Sequence, residues 1–212
     1  MPITGRAEEL LDAAARCFAH GGFHATTVAE ISLEAGCSPG LLYRYFAGKD
    51  ALVAALVERQ ANRTVAALEA IRDNTDMLGA LDRVAVASVG DWDDARAASL
   101  HVQIVAEAAR GQAATVTDSV RRTYSDVIDA LAGTLRVAQI AGLVDDELDA
   151  AATARLLVAI VNGLVMLRAA GVGADVAPPQ DATAAVLARL LRPPRPRAAA
   201  PADAPAREGQ PS

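Results

Sequence analysis

The side chains best suited to binding chemistry lie within residues 38–49. If this segment is a helix that advances about 100° per residue, Gly40 and Arg44 fall on one side, with Leu41 and Tyr43 beside them. This face combines a small residue, an arginine and a tyrosine, and a face of so little bulk can enter a DNA groove. The spacing therefore predicts the recognition helix of a helix-turn-helix motif.

Two short helices joined by a tight turn must position this face. The first is predicted to begin at Thr27, which lies three residues before Glu30 as in a capping box. Gly36 is suited to the left-handed conformation that ends a helix. The second begins at Ser38, with Pro39 at the first helical position, where no N–H is required. Its other side is predicted to pack in the core and consists of Pro39, Leu42, Tyr45 and Phe46.

Composition and spacing predict an all-α protein of one or two domains. The chain has 212 residues, of which 52% are hydrophobic and 3% aromatic. Its apolar residues recur at intervals of three and four, as in amphipathic helices, with little of the alternation typical of strands.

Several classes of protein are not expected. The longest apolar run, residues 156–167, is interrupted by Asn162 and Gly163, so no membrane span is predicted. The first residues have no signal-peptide pattern, which favours a cytoplasmic protein. The two cysteines, Cys17 and Cys37, are predicted to be small apolar fillers, because one lies on the core stripe of the first helix and the other in the turn. Without a histidine at metal-ligand spacing they indicate no zinc site or disulfide framework. We expect no metal, no cofactor and no enzymatic activity, since no catalytic set or phosphate-binding glycine loop is evident.

The charge balance limits how this chain can bind nucleic acid. The formal net charge is −6, and the first fifty residues contain more acidic than basic side chains. Lys49 is the only lysine, and it lies close to Arg44. Because few cations are available to neutralise phosphates, we expect weak non-specific binding and a shallow salt dependence.

About the first 55 residues resemble the DNA-binding domain of the TetR family of bacterial transcriptional regulators. Cys37 is a departure, because the family usually has an aliphatic residue there. The resemblance rests on the combined order of these residues: Gly22-Phe23, Thr26-Thr27-Val28, Ile31, Ala35-Gly36, Ser38, Gly40, Leu42-Tyr43, Tyr45-Phe46 and Lys49-Asp50-Ala51-Leu52.

This resemblance implies a role for individual residues. Thr27 is expected to cap a helix and contact a phosphate, and Tyr43 and Lys49 are expected to contact the DNA backbone. Arg44 can pair with a guanine or a phosphate, and Leu41 can contact a thymine methyl group. The full set of predicted DNA-binding residues is Thr27, Ser38, Pro39, Gly40, Leu41, Tyr43, Arg44 and Lys49.

The rest of the chain is similar to the family's ligand-binding and dimerisation domain in architecture. We predict a DNA-binding domain over residues 1–50, a helical domain over 51–192 and a disordered tail rich in proline and alanine over 193–212. About nine helices are expected in all. Their predicted spans are Ile3–His20, two within Thr26–Phe46, Lys49–Arg72, Asp76–Val89, Asp94–Arg110, Ala114–Ala141, Leu148–Ala170 and Asp181–Leu191.

The second domain is predicted to hold a ligand and a partner copy. With few aromatic residues, a pocket there would be mostly aliphatic, which favours an apolar effector. The apolar stripe in residues 151–167 contains Ala159 and Gly163, and with residues 182–191 it could form a four-helix interface with its copy. The candidate pocket residues are Trp92, His101, Tyr124, Asn162 and Met166.

Two functions from different classes fit the sequence. The first is a homodimeric repressor that binds a palindromic DNA operator and is released by a small apolar effector. The second is a helical small-molecule-binding or interaction protein whose helix-turn-helix is vestigial, as the acidic first segment suggests. His101 and most apolar stripes of the later helices could equally be ordinary core.

Overall fold

The computed structural model describes residues 5–74, 76–90, 95–172, 189 and 191. Within these residues the chain forms eight helices and no strand, which confirms the predicted all-α fold. The predicted helix over residues 181–191 lies outside them apart from 189 and 191, as do Ile3, Trp92 and the tail. The helices are α1 (Gly5–Ala25), α2 (Val28–Glu34), α3 (Pro39–Tyr45), α4 (Lys49–Ala70), α5 (Met77–Gly90), α6 (Ala95–Arg110), α7 (Ala114–Ile140) and α8 (Ala150–Ala169).

The end of α1 differs from the sequence prediction. The helix was predicted to end at His20, before Gly21-Gly22, but one further turn follows and the helix ends at Ala25. Gly22 has φ 76° and ψ 167°, so the regular helix is kinked at this residue. A left-handed φ is costly for a residue with a Cβ, and glycine adopts it freely. The kink places Phe23 in the core, where its side chain is 4% exposed.

The turn and caps of the helix-turn-helix form as predicted. Thr27 Oγ1 accepts from the Glu30 amide at 3.2 Å, and the Glu30 carboxylate accepts from the Thr27 amide at 2.7 Å. Gly36 takes φ 61° between the two helices. Ser38 Oγ accepts from the Leu41 amide at 3.3 Å and caps α3. Local sequence thus determines both helix starts.

The predicted core side of α3 is only partly correct. Leu42 is fully buried and Phe46 is half-buried, but Pro39 is exposed and Tyr45 is 42% exposed. A helix of seven residues has about two turns, so only its central apolar residue lies fully against α1 and α2. The residues at its two ends therefore remain in contact with water.

The first core cluster joins the helix-turn-helix to later helices. It includes Phe18, Ile31 and Leu42 from the first three helices, together with Ile104 of α6 and Val116 of α7. Cys17 and Ala35 pack at its edge. Because buried apolar side chains from both parts of the chain share this cluster, the orientation of α1–α3 depends on α6 and α7.

A second core cluster lies among α4, α5, α7 and α8. Two buried hydroxyls also join α7 to the backbone of α4: Ser119 Oγ donates to the Ala54 carbonyl at 3.1 Å, and Thr134 Oγ1 donates to the Leu68 carbonyl at 3.0 Å. Each buried hydroxyl thus has the hydrogen-bond partner that a polar group inside the core requires. Helices α4 and α7 are therefore fixed to each other along most of their length.

Candidate nucleic-acid interface and polar cluster

The outer face of α3 presents the predicted recognition residues to solvent. Gly40 and Arg44 are exposed, Tyr43 is 55% exposed and Leu41 is half-buried. Neither the Tyr43 hydroxyl nor the Arg44 guanidinium forms a hydrogen bond to any residue that the structure describes. Their donors are therefore available to another molecule, and Gly40 leaves space for close approach.

Two of the four arginine and lysine side chains in the first fifty residues are already paired. Arg6 forms an ion pair with Glu9, and Arg16 pairs with Glu34 at 2.7 Å. Within the described part of this segment, Arg44 and Lys49 are the two cations outside ion pairs. The positive charge available to a phosphate backbone is thus concentrated beside α3.

Lys49 has an intramolecular role that the sequence did not reveal. Its ammonium donates to the carbonyls of Phe23 at 2.9 Å and His24 at 3.3 Å, and lies 4.7 Å from the centre of the Phe23 ring. These carbonyls belong to the last turn of α1, where a cation is favourable. An ammonium has three N–H donors, so one remains for a phosphate.

The start of α2 carries a negative charge beside its predicted phosphate contact. The Thr27 hydroxyl donates to the Glu30 carboxylate at 2.9 Å, and the hydrogen bonds from Thr27 lower the pKa of Glu30. The ionised carboxylate therefore occupies the helix N-terminus, where a phosphate would otherwise be favoured.

Glu30→Gln is expected to bind any DNA duplex more tightly, by roughly two- to fivefold at low salt, because a like charge beside the phosphates is removed. The amide oxygen still accepts from the Thr27 amide. Fluorescence anisotropy at two salt concentrations measures the effect, with Glu69→Gln on the exposed side of α4 as control. Tighter binding to one sequence alone would contradict this explanation.

Three of the predicted pocket residues form one hydrogen-bonded cluster, the polar triad of His101, Tyr124 and Asn162. They come from α6, α7 and α8 respectively. The Tyr124 hydroxyl donates to Asn162 Oδ1 at 2.5 Å, and His101 Nε2 lies 2.9 Å from the same oxygen. Asn162 Nδ2 in turn donates to the Val158 carbonyl at 2.8 Å. The triad connects three helices at one point.

Burial makes the triad a neutral site. Desolvation lowers the pKa of His101, although its hydrogen bond to Asn162 acts in the opposite direction. Desolvation also raises the pKa of Tyr124. The neutral forms of both groups are therefore favoured. A neutral ligand could form hydrogen bonds with the triad without any of its groups becoming charged.

The other two predicted pocket residues are not part of this cluster. Met166 is 60% exposed and forms no hydrogen bond with the triad, although it lies only one helical turn from Asn162, and Trp92 lies outside the described residues. Spacing along α8 could not show that packing against α6 and α7 covers Asn162 more fully than Met166.

The exposed side of α8 is a long apolar stripe. It contains Leu156 (66% exposed), Ile160 (42%), Met166 and Leu167, with Ala159 and Gly163 between them. By length and composition alone α8 could cross a membrane, a test that the core helix of a soluble protein also meets. Its other side, however, packs on α6 and α7 through the polar triad and contains the buried residues Ala154 and Val165.

A polar cleft of about 510 Å³ separates the end of α1 from α6 and the start of α7. It is lined in part by His24, Lys49, Glu107 and Arg110. The buried Glu107 carboxylate accepts from Arg110 at 2.5 Å, and Arg110 also lies 3.3 Å from His24 Nε2. No sequence signal pointed to this cleft, because its residues meet only in the folded chain.

Comparison with known proteins gives a consistent result. Residues 10–56 match the model described as bacterial regulatory proteins of the tetR family. The chain is 27% identical to the HTH-type transcriptional regulator UidR of Escherichia coli K12 over 157 residues, which cover 74% of this chain and 78% of that protein. It is 48% identical over 59 residues to the HTH-type transcriptional regulator BetI of Brucella anthropi, covering 26% of this chain and 30% of that protein.

Solved structures show the same similarity over most of the chain. GusR of Salmonella enterica is 27% identical, with a TM-score of 0.72 over 90% of this chain and 96% of that one. A complex of SmeT with triclosan is 25% identical, with a TM-score of 0.68 over 88% and 91% of the two chains. SmeT is the repressor of the Stenotrophomonas maltophilia multidrug efflux pump SmeDEF.

Proposed function

This chain belongs to the TetR family of bacterial transcriptional regulators, and we propose that it is a cytoplasmic homodimeric repressor released from a palindromic operator by a small apolar effector. The observation that carries the proposal is the outer face of α3, where Tyr43 and Arg44 are exposed and make no hydrogen bond within the described residues. In this proposal each subunit places α3 in a major groove, with half-sites roughly 34–36 Å apart.

The proposed DNA contacts divide into two kinds. Arg44 contacts a base edge, with Leu41 beside it and Gly40 allowing close approach. Tyr43, the third N–H of Lys49 and the helix start at Ser38-Pro39 contact phosphates, which fix the register on the duplex. Thr27 also lies beside a phosphate in this proposal, but the Glu30 carboxylate at the same helix start opposes that contact. The scarcity of other unpaired cations supports a mode of binding that depends on few residues.

Tyr43→Phe is expected to weaken binding to specific and unrelated duplexes by the same factor, roughly 10- to 150-fold for each subunit. The reason is that a hydrogen bond to a charged phosphate contributes about 1.5–3 kcal/mol and carries no sequence information. The two dissociation constants, measured by anisotropy, give the ratio. The melting temperature serves as the control and should not change, because the hydroxyl has no partner among the described residues. A change confined to one base position would assign Tyr43 to base readout instead.

The exposed apolar stripe of α8 supports the proposed dimer. Isolated apolar side chains are common on protein surfaces, but a continuous stripe along one helix is typical of an interface. The small residues Ala159 and Gly163 at its centre allow a second α8 to approach closely, and the copies then bury Leu156, Ile160 and Leu167. The contacts of α8 with α6 and α7 favour this partner over a lipid bilayer.

The polar triad supports a ligand site in the helical domain. We place the effector beside His101, Tyr124 and Asn162, where neutral hydrogen-bonding groups lie among aliphatic side chains. Binding there would favour one arrangement of α6, α7 and α8, and a coupling of about 1–3 kcal/mol would lower operator affinity 5–150-fold. The triclosan complex of the related SmeT is consistent with a small, mostly apolar molecule.

A gel-shift assay with DNA flanking the chain's own gene tests this function. We expect a discrete complex at low salt whose stoichiometry is two chains per site. Absence of binding to every palindrome in that DNA would contradict the repressor proposal and favour the alternative below.

The alternative is a helical ligand-binding or interaction protein with weak or vestigial DNA binding. The ion pairs of Arg6 and Arg16 favour it, because they leave few cations for phosphates. Both functions predict stabilisation by an apolar compound in a thermal-shift screen, so the gel-shift assay separates them: the alternative predicts a ligand-stabilised protein that binds no DNA.

A further inference from the structure

The backbone of Phe23 is held from two sides. Its N–H donates to Gln103 Oε1 of α6 at 3.0 Å, and its carbonyl accepts from Lys49 Nζ of α4 at 2.9 Å. The left-handed Gly22 directs this peptide toward α6, and a Cβ at Gly22 would lie only 3.2 Å from Gln103 Oε1. The last turn of α1 is therefore fitted closely to the Gln103 side chain.

Helix α6 links this contact to the polar triad. His101 and Gln103 are two residues apart, so they project about 200° apart around the helix. One of them reaches Asn162 of α8, and the other reaches Phe23 of α1. A rotation or shift of α6 would thus move both contacts together.

Helix α4 is less free to carry such a movement. Its backbone is bonded to α7 by Ser119 and Thr134, and Arg59 connects it to Glu8 and Asp12 of α1 at 2.9 and 2.7 Å. These contacts fix α1, α4 and α7 to one another. Helix α6 meets this group through Ile104 in the first core cluster, through the Thr117 hydroxyl of α7, which donates to the Ala108 carbonyl at 3.2 Å, and through Gln103 at Phe23. Of these contacts, the one at Gln103 lies on the last turn of α1.

A second contact between α6 and α1 is weaker. His24 lies 3.7 Å from the Glu107 carboxylate, but its side chain is 64% exposed. A pair in which one partner is largely in solvent contributes little. Gln103, whose partner residue is buried, is the stronger of these two polar contacts and adds to the apolar packing of Ile104.

We propose that Gln103 is a positioning residue for DNA binding. Its amide oxygen fixes the end of α1 relative to α6 and thereby sets the orientation of the helix-turn-helix. This inference rests on the proposed function, because it assigns the path from the ligand domain to α3. Loss of the acceptor leaves the Phe23 amide unpaired and lets the helix-turn-helix adopt orientations that do not fit two successive grooves.

Three variants test the role of the acceptor. Gln103→Met keeps the length of the side chain but cannot accept a hydrogen bond, whereas Gln103→Glu keeps an acceptor oxygen. Gln112→Leu is the control, because it removes an exposed glutamine at the rim of the neighbouring cleft. Each full-length protein is measured for its affinity to a duplex that the wild type selects from random DNA, and for hydrogen exchange at the Phe23 amide.

Gln103→Met should lower the affinity by roughly two- to twelvefold, the factor that corresponds to one net hydrogen bond, and should speed exchange at Phe23. Gln103→Glu should restore both, and Gln112→Leu should change neither. If Gln103→Met does not fold, Gln103→Ser, which removes the direct contact but admits a water, carries the same expectation.

Two results would overturn the positioning role: wild-type affinity in folded Gln103→Met, or failure of folded Gln103→Glu to restore the affinity. A wild-type protein that binds no DNA would instead refute the proposed function. Hydrogen exchange would still report whether Gln103 protects the Phe23 amide.

Discussion

Arg44→Ala is expected to lower the affinity for the preferred operator by about 5–150-fold, equivalent to 1–3 kcal/mol, and to relax specificity at one base pair of each half-site. The guanidinium is exposed on α3 and has no partner within the described residues, so its five donors are available to a base. A bidentate pair with guanine has this energy and is lost entirely on truncation.

The measurement is a set of dissociation constants for operators that differ at each position in turn. Arg63→Ala is the matched control, because it removes the same charge from an exposed site on α4 and should change the affinity little. An equal loss of affinity for every operator variant would make Arg44 a phosphate contact instead.

The second large effect is expected at the α8 stripe. Leu156→Glu should convert the dimer to a monomer and weaken operator binding by about 10²–10⁴-fold, the usual gain from linking two binding modules. Each dimer would have to bury two carboxylates in an apolar interface, at a cost of several kcal/mol per charge. In the monomer the side chain is 66% exposed, so folding itself should be unaffected.

Sedimentation measures the association and anisotropy measures the binding. Leu33→Glu on α2, at an apolar residue that is 83% exposed, is the control for association and should remain dimeric. A Leu156→Glu protein that is still dimeric would place the interface elsewhere.

Local patterns predicted most of the helices and the caps of the helix-turn-helix. Thr27, Gly36 and Ser38 form the contacts expected of them, because each acts on neighbours within four residues. Tyr45 was predicted to be buried and is exposed. The spacing of apolar residues indicates which side of α3 faces the core, but not how far α1 and α2 extend along that side.

Tertiary contacts could not be predicted in the same way. Gln103 and Phe23 are 80 residues apart in sequence, and Lys49 and Phe23 are 26 apart. Nothing in the neighbourhood of either residue indicates its partner. His101, Tyr124 and Asn162 were predicted as separate candidate pocket residues, and only the fold shows that they bond to one another.

The most direct measurement is selection of duplexes from a random DNA pool by the purified full-length protein, followed by sequencing. The proposed function predicts enrichment of one inverted repeat with half-sites about one helical turn apart, and loss of the base preference at one position of each half-site with Arg44→Ala. A pool that shows no enriched repeat, or an Arg44→Ala pool with the same base preference at every position, would contradict base recognition by the outer face of α3.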